Sequence, residues 1–267
     1  MKVLRLGHAM YVLRSKAGKN YLIDPFFEMN PGCPKEYQTE EFMKSIDAVF
    51  LTHGHFDHTS GLQKLLNSHP DCLVVAQYEL AMILLQKGVR NVYPINLGGS
   101  IHLEDVKATM VQAKHTSSYG ETEGTPIYAG EAAGYIFNFD NDHTLYHSGD
   151  TAIMSDMKLI QDVYEPTIAI LSSSGHFTMG PKEAAYAVKN LLNVQYVIPS
   201  HTFPTKETAS SPEVLEALLK AFPIIDTMMD KDHNLAAELK NYPKTEVVVI
   251  GYGEEKEFNI QDSKIKI

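Results

Sequence analysis

Hydrophobic and polar positions in the first third of the chain alternate between strand and helix patterns. Short β-rich runs predict strands at residues 2–7, 10–15 and 20–25, and the Gly and Asn within 16–20 predict a hairpin turn between the last two. Continuous apolar runs at 46–52 and 72–77 predict strands that are covered on both faces. Helical spacing follows each of these runs, at 60–70 and 78–88, and Gly88 is placed to end the second helix.

The same alternation returns in the rest of the chain. Strands are predicted at 91–96, 100–105, 107–115, 133–139 and 144–150, and helices at 154–164, 180–193 and 211–222 then alternate with strands at 167–173 and 195–201. The segment 246–260 predicts a C-terminal hairpin. Two groups of strands, each leading into helices, predict an α+β fold in which two sheets pack face to face with helices outside. We expect this four-layer αββα sandwich to comprise residues 1–267 as a single domain.

Composition limits the classes of function. The chain has 267 residues, of which 44% are hydrophobic, so a substantial core can form. Its apolar runs are far shorter than the roughly 20 residues of a membrane span, and the N-terminus resembles a first strand more than a leader, so we expect a cytoplasmic protein. A net charge of -10 argues against nucleic acid as a partner. Cys33 and Cys72 are expected to be ordinary thiols, with a disulfide between them left open.

The segment LTHGHFDHTSG at residues 51–61 carries the clearest chemical signal. Two histidines, His53 and His55, are two positions apart and point to one side of an extended backbone, while Gly54 allows a tight turn. Asp57 and His58 follow one turn later and can reach a second, neighbouring ion. Imidazole and carboxylate together suit zinc, manganese or iron better than calcium or magnesium. We therefore predict two divalent metal ions per chain, zinc in the first instance, with manganese or iron as alternatives.

Four residues do not complete two metal sites, so further ligands are expected at other strand ends. His115, Asp150 and His201 each lie where a predicted strand passes into a loop. Catalytic residues collect at such positions in sandwich and α/β folds.

The segment THGHFDH resembles the HxHxDH signature of the metallo-β-lactamase superfamily, and the downstream His, Asp and His follow in that family's order. The segments GHA, IDP, HSGDT, GHFTMGPKEAA and IPSHTFP are similar to a branch of simple metal-dependent hydrolases that includes ascorbate 6-phosphate lactonase. The resemblance implies a first ion on His53, His55 and His115. It implies a second ion on Asp57, His58 and His201, with Asp150 bridging the two.

The chain departs from that branch at SSSGH, which places Ser172, Ser173, Ser174 and His176 near the expected floor of the pocket. The serine triplet lacks the GxSxG surroundings of a nucleophile, so a polar loop is the preferred interpretation. Segment 117–126 is predicted to be a mobile loop beside the metals that could act as a lid.

The ligand list leads to a mechanism. Two divalent ions, less the charges of Asp57, Asp150 and a bridging hydroxide, leave about one net positive charge, which favours an anionic or carbonyl-bearing small molecule. The leading hypothesis is a hydrolase whose metal-bridging hydroxide attacks a small ester, lactone or phosphoester. Asp57 is a candidate proton acceptor, and His8 and His176 are candidate acids for the leaving group.

Asp24 and His147 are expected to lie behind the ligands and support them by hydrogen bonds, and His147 is also a candidate acid. No role is predicted for His69, His102, His143 or His233. Two other classes of function stay open at this point: a di-iron redox protein of the flavodiiron type, and a non-catalytic metal-binding protein. Homo-oligomerisation is left open as well.

Overall fold

The computed structural model describes residues 1–120 and 124–260. Its strands are β1 Lys2–Gly7, β2 Met10–Arg14, β3 Asn20–Ile23, β4 Ala48–Phe50, β5 Leu73–Gln77, β6 Val92–Ile95, β7 Ser100–His102, β8 Val106–Gln112, β9 Ser118–Tyr119, β10 Ile127–Tyr128, β11 Ala133–Phe139, β12 Thr144–His147, β13 Ile168–Ser172, β14 Tyr196–Ser200, β15 Glu246–Val247 and β16 Glu255–Glu257. Its α-helices are α1 Glu40–Lys44, α2 Phe56–Thr59, α3 Leu62–Ser68, α4 Tyr78–Gln86, α5 Asp156–Tyr164, α6 Pro181–Asn190, α7 Pro212–Ala221 and α8 Asp232–Leu239. Short 3-10 helices occupy Lys35–Gln38 and Pro223–Met228.

Two mixed seven-stranded sheets form the centre of the molecule. The first has the strand order β16-β1-β2-β3-β4-β5-β6 and the second β15-β14-β13-β12-β11-β8-β7, while β9 and β10 form a separate ribbon. In each sheet antiparallel strands give way to parallel ones, at the β3–β4 pair and at the β12–β13 pair. Parallel pairs need crossover connections, and helices supply them in both halves of the chain. The predicted αββα sandwich is confirmed.

Three apolar clusters fill the spaces between the four layers. The largest takes side chains from both sheets, including Tyr11, Phe50 and Phe137, and fills the space between them. A second lies between the first sheet and helices α1, α3 and α4, and a third between the second sheet and helices α5, α6 and α8. Burying apolar side chains on both faces of each sheet explains why β4, β5, β13 and β14 are continuous apolar runs.

The predicted C-terminal hairpin is wrong. Strand β15 pairs in parallel with β14 in the second sheet, whereas β16 pairs antiparallel with β1 in the first. The chain between them crosses from one sheet to the other, so its two β-rich runs have different partners. Alternating sequence pattern alone does not identify the partner of an edge strand. Helix α8 and the 3-10 turn at Pro223–Met228 carried no prediction either.

Both cysteines are free and buried. Burial raises the pKa of each thiol, Cys33 and Cys72, to about 12. Within residues 1–120 and 124–260, helices are too short or too polar to cross a bilayer.

Candidate metal centre

The segment after β4 places four predicted ligands at one end of the first sheet. Strand β4 lies between β3 and β5, and the chain leaves it through Thr52 and His53. His55 precedes the one-turn helix α2, which carries Asp57 and His58. A side chain at Gly54 would place its Cβ 2.5 Å from the Ser118 carbonyl oxygen, so the tight passage between His53 and His55 requires glycine.

The other predicted ligands come from the second sheet. His115 follows β8 by three residues, Asp150 follows β12 by three, and His201 directly follows β14. The two sheets meet here, because the His201 backbone N–H donates to the His8 carbonyl oxygen at 3.3 Å. Loops from both halves of the chain therefore converge on one site.

The structure brings all seven predicted ligands together in overlapping groups. There are three such groups, the third of which shares residues with the other two, and within each group the ligand atoms lie within 4.8 Å of one another. The groups are His53, His55 and His115; Asp57, His58, His201 and His8; and His53, His58 and Asp150. Asp150 Oδ2 lies 2.8 Å from His201 Nε2, 3.5 Å from His58 Nε2 and 3.8 Å from His115 Nε2, a position from which one carboxylate can serve both ions.

Asp24 supports ligands of both groups. Its Oδ2 accepts hydrogen bonds from His58 Nδ1 at 2.7 Å and from Thr52 Oγ1 at 2.7 Å, and its Oδ1 accepts from the Thr52 backbone N–H at 2.8 Å. Thr52 Oγ1 is also hydrogen-bonded to His53 Nδ1 at 2.9 Å. One buried carboxylate thus orients two imidazoles, as the partners behind metal ligands usually do.

His147 lies behind the site but contacts no predicted ligand through the hydrogen bonds that the structure describes. Its Nδ1 accepts from the Gly149 backbone N–H at 3.1 Å, within the turn that leads to Asp150. Burial lowers the pKa of His147 to about 4, so the ring is neutral. Its position suits a support for the turn, and its role as a candidate acid stays a prediction.

His8 and His176 occupy different positions from those expected of leaving-group acids. His8 is buried, its Nε2 lies 3.1 Å from Asp57 Oδ2, and its ring stacks on Phe203 at 4.2 Å between centroids. His176 is exposed and adopts φ 59°. Neither ring lines the cavity in front of the site, where Phe177 takes the place expected for His176. Catalysis by either imidazole stays a prediction.

The backbone is strained around the site. His8, Asp24 and His201 have φ values of 50°, 52° and 64°, in the left-handed region that non-glycine residues rarely adopt. Each such conformation costs of order 1–3 kcal/mol and persists only where surrounding structure enforces it. Three such residues lie within one cluster, which indicates that the contacts of their side chains outweigh the cost of the strained backbone.

The ionisable groups within the cluster shift one another's pKa values. Burial lowers the pKa of His8 to about 4, and His201 lowers it further in the same direction. Burial would raise the pKa of Asp57, yet His58 and His201 hold it well below its usual range. Burial likewise opposes protonation of His201, but Asp150 and Asp57 raise its pKa to about 9. The carboxylates are therefore ionised at neutral pH, the state in which they bind metals.

The donor set fits divalent transition metals. His58 Nε2 is buried and has no hydrogen-bond partner among the described residues, although it faces both carboxylates. Leaving such an atom unpaired costs about 1–3 kcal/mol, unless an ion occupies the space before it. Imidazole nitrogens and carboxylate oxygens at this density are typical of zinc, manganese and iron sites.

Comparison with known proteins agrees with this geometry. Residues 19–202 match the family described as the Beta-lactamase superfamily domain. The chain belongs to the metallo-β-lactamase superfamily. A UPF0173 metal-dependent hydrolase of Koribacter versatilis strain Ellin345 is 42% identical over 223 residues, which cover 82% of this chain and 92% of that protein. This chain is accordingly a metal-dependent hydrolase of that superfamily.

Solved structures agree on the fold. Igni18, a metallo hydrolase from Ignicoccus hospitalis, superposes with a TM-score of 0.74 at 24% identity, covering 97% of this chain and 99% of that one. The metallo-β-lactamase fold protein YhfI from Bacillus subtilis has a TM-score of 0.66 at 14% identity, with 96% and 99% covered. The narrower resemblance to ascorbate 6-phosphate lactonase stays a prediction.

Two residues support the site in ways that the sequence did not predict. Ser174, placed in a polar loop, has its Oγ 3.2 Å from His201 Nδ1 and so supports that ligand. Arg5 is fully buried and donates to Thr202, next to His201, and to both carboxylate oxygens of Asp232. Arg5 lies between apolar residues in the run KVLRLG, and this position was the signal from which a buried, paired charge could have been predicted.

The predicted lid at 117–126 lies only partly within the described structure, because residues 121–123 fall outside it. Ser117 Oγ accepts from the Gly54 backbone N–H at 3.2 Å and donates to the Ala129 carbonyl oxygen. The beginning of the loop is thus hydrogen-bonded to the turn that carries the predicted ligands.

Proposed function

We propose that this hydrolase binds two divalent ions per chain and cleaves a small ester, lactone or phosphoester. The observation that carries the proposal is the position of Asp150 Oδ2, within 4 Å of imidazole nitrogens from both ligand groups. His53, His55 and His115 would hold one ion, and Asp57, His58 and His201 the other. Bound there, the ions would supply a hydroxide at neutral pH and polarise the oxygen of the scissile bond.

The chain's own residues have distinct roles in this proposal. Asp57 lines the cavity, and its carboxylate would accept the proton of the attacking water. His8 holds that carboxylate through the 3.1 Å contact to Asp57 Oδ2 and stays neutral, so it acts as a positioning residue. Asp24 and Ser174 fix the ring orientations of His58 and His201. With two ions, two carboxylates and a hydroxide, the site would retain about one positive charge, which would favour electron-rich carbonyl or phosphoryl oxygens.

Zinc is the preferred metal, with manganese and iron as alternatives that the same donors accept. The test uses protein purified without chelator, reconstituted with each metal, and assayed on a panel of esters, lactones and phosphoesters. Asp150→Ala should abolish turnover and lower metal content, whereas Asp47→Ala, at an exposed position before β4, should preserve both. Retained activity in Asp150→Ala would refute the assignment. Oxygen consumption by the two-iron form, without hydrolysis, would favour the redox class instead.

A further inference from the structure

A cavity of about 490 Å³ opens directly in front of the proposed metal centre. Its floor consists of His55, Asp57, His115, Asp150 and His201, all from the ligand groups. Its walls are apolar, and the clearest contributors are Phe56, Phe177, Phe222, Ile224 and Met228. The volume lies in the range of small-molecule sites, which typically run from about 300 to 1,000 Å³.

The apolar wall is a separate structural unit. Phe222 stacks on Phe56 with ring centroids 5.4 Å apart and an interplanar angle of 18°. Below them, Phe26, Phe203, Leu218, Ile225 and Met228 form a cluster distinct from the three cores of the sandwich. The segment between β14 and α8, which contains α7 and the 3-10 turn Pro223–Met228, supplies most of this cluster. The chain therefore adds an apolar cap to one side of the metal site.

The wall leaves large apolar surfaces open to solvent. Phe177 is 50% exposed and Phe222 41%, although both line the cavity. Exposed aromatic surface that borders a concave polar site is typical of ligand binding. Apart from the ligand groups, the polar wall residues are Thr116 and Ser118, and the part of the lining that the structure describes includes neither Lys nor Arg.

This composition discriminates between substrate classes. A phosphoester carries its own negative charge, and sites that recognise phosphate usually provide Arg or Lys beside it. A neutral ester, thioester or lactone needs only the metal centre for its carbonyl oxygen, and its remaining surface can be apolar. We infer, resting on the proposed function, that the substrate is a carbonyl compound whose acyl chain or aromatic ring binds against this wall.

The test is a chain-length series with one leaving group. The metal-loaded full chain is assayed on p-nitrophenyl esters from acetate to octanoate and, in parallel, on p-nitrophenyl phosphate. Each methylene that enters the wall should raise kcat/KM about fourfold, the equivalent of about 0.8 kcal/mol of burial. A flat or falling series, or a preference for the phosphate, would overturn the inference while leaving hydrolysis itself intact.

Variants of the wall provide the controls. Phe222→Ala should lower the octanoate-to-acetate ratio of kcat/KM about tenfold or more, the value of roughly two buried methylenes, and Phe222→Leu should restore most of it. Tyr186→Ala removes an exposed ring on α6, outside the cavity, and should leave the ratio at the wild-type value. An unchanged ratio in Phe222→Ala would contradict the assignment of the wall.

A binding measurement separates the inference from the proposed function. Calorimetry with the carboxylate products, from acetate to octanoate, reports the apolar subsite without requiring turnover. Affinity that rises with chain length in a metal-loaded protein that hydrolyses none of the esters, lactones and phosphoesters of the panel would contradict the proposed function and support the wall. Affinity independent of chain length would contradict the wall, whatever the turnover.

Discussion

Asp24 determines which nitrogen of His58 faces the proposed metal. The Asp24 carboxylate accepts from His58 Nδ1 at 2.7 Å, so Nδ1 keeps its proton and Nε2 presents a lone pair to the ion. Thr52 supplies the other two donors to Asp24, through its hydroxyl and its backbone N–H. Asp24 is fully buried and belongs to none of the proposed ligand groups, so a change here alters the tautomer of a proposed ligand without removing one.

The replacement Asp24→Asn keeps the shape of the side chain and reverses part of its hydrogen bonding. The amide oxygen can still accept from the Thr52 backbone, but the amide N–H groups then face His58 Nδ1. His58 would accept at Nδ1 and carry its proton on Nε2, which can no longer bind a metal. Loss of a supporting partner behind a metal ligand costs about 10- to 100-fold in affinity, or about 1.4–2.8 kcal/mol.

Zinc titration of chelator-treated protein by calorimetry measures this loss. It should be larger for the ion that His58 binds than for the ion that His53 binds, because His53 contacts Asp24 only through Thr52 Oγ1. Asp47→Asn is the matched control, because Asp47 Oδ2 accepts only from the exposed Asn20 backbone N–H in the described hydrogen bonds. It should bind both ions as wild type does. Two unaltered binding events in Asp24→Asn would show that the carboxylate does not set the His58 tautomer, and equal losses in both variants would show a non-specific effect.

Three further predictions concern a hydrogen bond behind a proposed ligand, an ion pair and the two thiols. Ser174→Ala should weaken zinc binding about tenfold in the same titration, whereas Ser173→Ala should change it little, because the Ser173 hydroxyl has no partner in the described structure. Arg5→Ala should lower the free energy of unfolding in urea by about 3–5 kcal/mol, because it leaves the partly buried Asp232 carboxylate without its ion-pair partner. The partly exposed Arg14→Ala should lower it by less than about 1 kcal/mol, and equal losses would contradict this. The two buried thiols, with pKa raised to about 12, stay protonated at pH 8 and should react with a thiol reagent only after unfolding, so rapid labelling of folded protein would disprove their burial.

Local sequence patterns were sufficient to predict the candidate ligands that follow a single strand. His53, His55, Asp57 and His58 lie within six residues, so their spacing alone indicated convergence. His115, Asp150 and His201 could be placed because each follows a recognisable strand, and strand ends of a sandwich meet at one edge. The two sheets could be predicted because each group of strands is recognisable from its local pattern of apolar residues.

Contacts between distant segments could not be predicted in this way. Ser174 meets His201 only because β13 and β14 pair in parallel and end together, and strand order is not written in local sequence. The apolar wall depends on Phe56 meeting Phe222, which are separated by most of the chain. The split of β15 and β16 between two sheets likewise depends on long-range pairing. Where several partners have similar apolar faces, tertiary packing decides.

The most direct test of the two-ion centre is anomalous diffraction from crystals of the zinc-loaded protein, recorded on both sides of the zinc absorption edge. Two peaks are predicted, one bound by His53, His55 and His115 and the other by Asp57, His58 and His201, with Asp150 in contact with both. A single peak in fully loaded protein, or two peaks of which Asp150 contacts only one, would contradict the bridged dinuclear centre.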